Sequence, residues 1–201
     1  MKAPDFFDAA PRIVVHDALA ELLGAADGGR IEYRYADAVK LAGHSCPTVA
    51  GAWLMTRAAL QRLYGSELPR RGEIRVDSRE PLDAGVAGVV ASVATLVTGA
   101  AGEGGFKGLG GRHARRGLLR FGVPMAGELR FTRLDTGAAV EVAQRGGVVA
   151  RPAQLAPLLQ AALAPGAHAD ARAEFGRTWQ GWVRSLLIDH ADDPELIEFV
   201  S

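Results

Sequence analysis

The stretch Leu41-Ala42-Gly43-His44-Ser45-Cys46-Pro47-Thr48-Val49-Ala50-Gly51 holds the only cysteine of the 201-residue chain and places His44 two residues before it. Proline is tolerated at the first helical position, where its missing N–H has no partner in any case. The apolar run that follows therefore reads as a helix over 47–64, with Val49, Trp53, Leu60 and Leu63 on one buried stripe. Gly51, Ala52, Ala58 and Ala59 leave room for a second element to approach closely, and Gly65 with Pro69 ends the helix. Cys46 falls at the N-cap, beside free backbone donors and the positive end of the helix dipole, a place that favours a thiolate sulfur.

Outward from this helix, the pattern mixes strands and helices without strict alternation, which is the mark of an α+β protein. Upstream, Ile13, Val14, His16, Leu19, Leu22 and Leu23 predict an amphipathic helix within 6–24, and the alternation of Ile31 to Tyr35 predicts a short strand. A helical turn over 37–42 leads into the His-Ser-Cys-Pro loop. Downstream, 73–77 reads as a strand. Pro81 opens a helix reaching Val97 that is apolar or small nearly all round, so it is expected to be the buried central helix.

A glycine- and arginine-rich loop follows over 98–117, then three alternating segments at 118–123, 127–134 and 138–143. The Asp135-Thr136-Gly137 turn joins the last two into a hairpin, and the three together predict an antiparallel meander. From Pro152 the pattern is helical: 152–163, then 170–190, then a short terminal helix capped at Asp193-Pro194. The expected architecture is an antiparallel sheet packed against the small-residue helix and the Cys46 helix. Residues 1–146 form the core, and 147–201 form a helical extension or dimer arm.

Composition narrows the function classes. Charges balance at 23 basic and 23 acidic residues, so no global field draws the chain to nucleic acid or to an anionic membrane. One cysteine excludes an internal disulfide and a multi-cysteine zinc finger built by this chain alone. The longest apolar stretch, 86–97, is too short to span a bilayer. The N-terminal residues show no apolar core followed by a small-residue cleavage site, which predicts a reduced, cytoplasmic protein.

The Gly43-His44-Ser45-Cys46-Pro47 loop, with Gly51 four residues after the proline, resembles the hallmark of the formylmethanofuran dehydrogenase E-subunit family. A helix ending in Thr98-Gly99, a glycine-rich stretch and then strands follow in the family's order, so the likeness covers about 31–142. The resemblance implies an α+β fold, a homodimer and a metal near the His-x-Cys loop. The chain departs from the pattern where Ala42, Ala100 and Val89 stand in place of a histidine and two cysteines, and it has no C-terminal zinc module. At most His44 and Cys46 carry over as ligands.

Three readings compete at this loop. In the first, His44 and Cys46 hold zinc or another divalent transition metal, since zinc accepts mixed nitrogen and sulfur ligands and an open position makes such a site catalytic in type. His113, in the glycine loop, is a candidate third ligand or general base, with His16, Tyr35, Asp37 and Asp77 as weaker candidates for the same place. The loop itself is read as a lid over Cys46. Its backbone N–H groups and the side chains of Lys107, Arg112, Arg115 and Arg116 would hold a small anionic ligand. The second reading is a metal-free enzyme with Cys46 as nucleophile and His44 or His113 as base. The third is a non-catalytic dimeric binding module.

Overall fold

A computed structural model describes residues 3–200. The elements in order are α1 (Phe6–Ala9), β1 (Ile13–His16), α2 (Ala18–Leu22), β2 (Arg30–Tyr33), α3 (Tyr35–Ala42), α4 (Pro47–Tyr64), β3 (Ile74–Ser78), α5 (Ala87–Thr98), β4 (Leu119–Arg120), β5 (Leu129–Arg133), β6 (Ala139–Gln144), α6 (Leu155–Leu163), α7 (Ala169–Arg184) and β7 (Ile197–Val200). A turn of π-helix over Ser185–Asp189 continues α7. The fold is α+β. β1 and β2 make a separate antiparallel ribbon, and the other strands form a mixed sheet in the order β4-β3-β5-β6-β7.

α4 is the element around which the rest packs. Val49, Ala50, Ala52, Trp53, Ala59 and Leu60 are fully buried, and the Trp53 indole N–H donates to Pro11 O at 2.9 Å. Large side chains set its outer contacts: Tyr35 of α3 meets Trp53 and Phe7 edge-on. Phe131 and Val142 come up from the sheet. At Gly51 a Cβ would run into the Gln144 side chain, so the small residue lets β6 lay a long polar side chain across the helix. α5 packs beside α4 and against β3, and buries Ala91, Val93, Ala94 and Val97.

Several local expectations are corrected. The helix predicted within 6–24 is two short helices split by β1, because Ile13-Val14-Val15 is a β-branched run whose alternate residues Ile13 and Val15 point into the core. The helix expected from Pro81 starts only at Ala87, leaving Leu82 and Val86 exposed, and α4 is the more deeply buried of the two. The meander is not one. β4 pairs parallel to β3 (Val76 opposite Leu119) instead of turning back on β5, while β5 and β6 do form the expected hairpin. The terminal helix is replaced by strand β7, which follows a turn at Asp193 and pairs antiparallel with β6. The segment after 147 thus supplies an edge strand to the sheet, and it places Val183, Leu186, Leu187 and Leu196 in the core. No helix of the described residues is long and apolar enough to cross a membrane.

Candidate functional site

The Cys46 loop is built as its sequence requires. Gly43 closes α3 in the left-handed conformation, and Cys46 is the N-cap of α4 with Pro47 at the first position. Cys46 is 8% exposed, and its sulfur accepts the Val49 N–H at 3.4 Å. The Tyr35 hydroxyl meets Ser45 Oγ at 3.0 Å, and burial pushes the Tyr35 phenol far above its ordinary range, so it stays a neutral hydroxyl. From the far side α7 clasps the loop: Trp179 Nε1–H and Gln180 Nε2–H both donate to Ser45 O, at 2.9 and 3.1 Å.

His44 stands exposed at the mouth, its Nδ1 within 2.9 Å of Ala42 O. A carbonyl can only accept, so Nδ1 donates to it, and in the neutral form of the ring that leaves the lone pair on Nε2. The two ligands proposed from sequence lie on one loop, His44 exposed and Cys46 buried, and nothing completes them. Among the described residues no group of three or more His, Cys, Asp or Glu side chains converges on one point. No hydrogen bond or ion pair among them links His113, Lys107 or Arg112 to His44 or Cys46. A structural zinc takes four protein ligands and a catalytic one three. One chain's His44 and Cys46 supply two.

The glycine-rich loop belongs elsewhere. Its ends are tied together by Ala101 N–H to Arg115 O and by Leu118 N–H to Ala101 O, and Arg115 and Arg116 both donate through their backbone to Phe106 O. Gly105 permits this closure, since a Cβ there would press on Ala101 and on the Arg116 backbone. Lys107 and Arg112 are exposed. His113 sits with positive φ just after a tight turn spanning Leu109 to Arg112. The side chain that anchors the loop is Arg115, which reaches Asp17 across 98 residues of sequence.

Asp17 is the hub of this second cluster. As N-cap of α2 its Oδ1 accepts the N–H groups of Leu19 and Ala20 at 3.0 and 3.1 Å. The same oxygen takes Arg115 Nη2 at 2.7 Å, while Oδ2 takes Arg71 Nη1 at 2.9 Å. Burial alone would raise its pKa, but the bonds from Arg115, the Ala20 N–H and Arg71 outweigh that and hold the carboxyl below its ordinary value. Arg71 also donates Nη2 to Leu96 O at the C-terminal end of α5, where a cation is favoured, and lies 5.9 Å from the centre of the Tyr33 ring.

The Arg115 side chain is only 9% exposed and slides between two glycines. A Cβ on Gly72 would come within 2.5 Å of Cζ, and one on Gly99 would collide with Nη1. Nε and Nη1 have no partner among the described residues. Thr95 on α5 is the second orphan. Thr56 and Thr98 return their hydroxyls to the carbonyl four residues back, at 2.8 and 2.7 Å, whereas the buried Thr95 Oγ1 has no partner among the described residues. Arg115, Thr95, Asp17 and Arg71 all line one open cavity of about 490 Å³, whose remaining wall includes Ile31, Tyr33 and Phe106.

Set against known proteins, the chain matches no family model, no curated protein and no solved structure. Its chemistry therefore has to be read from its own two clusters. Of the basic residues proposed from sequence, Lys107 and Arg112 lie outside the cavity lining, and Arg115 is the one built into it. Asp17 and Arg71 went unnoticed, because nothing in their sequence surroundings shows that β1, the 65–73 loop and the glycine loop meet.

Proposed function

We infer that the protein binds a small anionic molecule in the cavity bounded by α2, β2, the C-terminal end of α5 and the glycine-rich loop. The observation that supports this reading is that Arg115 and Thr95, on separate elements, line the same cavity and each carry buried polar atoms that lack partners among the described residues. A buried unpaired donor costs about 1–3 kcal/mol, and more when charged, which an incoming acceptor recovers. Charge argues the same way. Among the residues lining the cavity Asp17 is the single acidic one, facing the guanidiniums of Arg71 and Arg115. The C-terminal dipole of α5 offsets about half a charge, so a positive excess remains. The volume falls within the range of small-molecule sites.

The test is thermal unfolding in benzoate, inorganic phosphate or sulfate, each matched in ionic strength by sodium chloride. At least one anion is expected to raise the midpoint above its chloride control, since a ligand at a hundred times its Kd stabilises by about 2.7 kcal/mol. Ala20→Phe, which fills the cavity, and Thr95→Val should both abolish the rise. Three anions indistinguishable from chloride would remove the reading.

A second reading places a divalent transition metal at His44 and Cys46. It is favoured by the Nδ1–H to Ala42 O bond, which presents Nε2 in the tautomer a metal requires, and by the family likeness of the Gly43–Pro47 loop. Such an ion would fill its coordination with water or with a group from a second copy. Metal analysis of untagged protein should then show zinc in the wild type and none in Cys46→Ser or His44→Ala; equal content in all three would end it.

A further inference from the structure

Building on the anion site just described, we propose that its ligand is a monocarboxylate carrying an aliphatic or aromatic body. Valence follows from charge. One carboxylate against two guanidiniums leaves a formal excess of one, already trimmed by the carbonyl end of α5, so a singly charged group balances it and a dianion overshoots. Among the described residues no other acidic or basic side chain lines the cavity: Tyr33 is its only further titratable group, and burial raises that phenol, keeping it a neutral donor. The chemistry agrees, because a guanidinium and a hydroxyl can each donate to a carboxylate oxygen.

The body follows from the walls. Leu19, Leu23, Ile31, Ala101 and Phe106 supply the apolar part of the lining. Leu23 and Phe106 are left largely exposed, at 63% and 46%, although they flank a cavity they could help to close. Phe106 sits between Gly104-Gly105 and Gly108, on the segment of the loop whose backbone can rearrange at least cost. An inorganic anion would use the polar end and leave this surface in water; an amphiphilic acid covers both.

Calorimetric titration at fixed ionic strength and neutral pH with acetate, octanoate, 1-octanol and inorganic phosphate tests the assignment. A fully buried methylene tightens binding roughly fourfold. Octanoate is therefore expected to bind at least about tenfold more tightly than acetate, and more tightly than octanol, which has the body without the charge. Ile31→Thr should weaken octanoate and leave acetate unchanged, whereas Thr95→Val should weaken both. Phosphate binding above octanoate, acetate equal to octanoate, or octanol equal to octanoate would each overturn the carboxylate assignment. If octanoate, acetate and phosphate all fail to bind, the anion site itself is lost, a distinct and separately readable failure.

Discussion

Asp17→Ala is expected to lower the unfolding free energy by about 3–5 kcal/mol, the cost of breaking a buried ion pair by removing one partner. The side chain is 4% exposed and satisfies four N–H groups at once: two backbone amides of α2 and one guanidinium nitrogen each from Arg115 and Arg71. Removing it strands the Arg115 charge between Gly72 and Gly99 with no acceptor, and takes away a helix cap worth about 1 kcal/mol. Domains of this kind are stable by about 5–15 kcal/mol in total. In a chain of this size the unfolding midpoint should fall by roughly 10 °C, at about 2–4 °C per kcal/mol. Asp17→Asn keeps an oxygen for the Leu19 and Ala20 amides and should sit about 1 kcal/mol above the alanine variant.

The same carboxylate gives a pH signature. Its folded pKa is depressed, so its contribution is complete above the unfolded value, about 3.9, and is lost as pH falls through the lower folded value. Other depressed carboxylates, among them Asp135, bonded by Arg133, and Glu141, bonded by the Gly127 N–H and then by Arg130, add to acid lability in every variant. The difference between wild type and Asp17→Asn isolates the one residue: constant from neutrality to about pH 4, then shrinking in stronger acid. A difference that stays flat down to about pH 2 would show that Asp17 is not held charged by its two arginines.

Whatever the chain encodes locally is legible in the sequence. Pro47 and Gly65 bracket α4 to the residue, and the Asp135–Gly137 turn sets the β5–β6 hairpin. Readings went astray where two periodicities overlapped or where a partner lay far off. Ile13-Val14-Val15-His16 fits helical spacing when Leu19, Leu22 and Leu23 are counted with it, yet its alternation and branched side chains make a strand, and Asp17 then starts the helix afresh. β4 could not be placed from its two residues, since its register comes from the long connection that brings it beside β3. The site suffered most. The loop's density of glycine and arginine is plain in the sequence, but which arginine turns inward depends on an acid 98 residues away. Thr95 gives no sequence signal at all; only the contrast with the internally bonded Thr98 sets it apart.

Gly99 ties this cluster to the end of α5, and Gly99→Ala should cost about 2–5 kcal/mol, the sum of two terms. Gly99 adopts φ +73° as the helix cap, where an L-residue is disfavoured by about 1–2 kcal/mol. Its new Cβ would also collide with Arg115 Nη1 and come within 3.1 Å of Arg71 Nη1, forcing a buried guanidinium off its carboxylate, and overpacking of this kind adds about 1–3 kcal/mol. Gly137 is the matched control. It has the same φ of +73° in the β5–β6 turn but nothing within 4 Å of an added methyl, so Gly137→Ala should show the conformational term alone. Chemical denaturation of both variants separates the terms, and the excess for Gly99→Ala measures how tightly the Arg115 slot is packed. The slot and the cavity share that guanidinium, so Gly99→Ala should also lose the anion-dependent rise in unfolding midpoint while Gly137→Ala keeps it. Equal losses of stability in the two variants would mean that Arg115 moves aside freely and that no fixed cation waits there for a ligand.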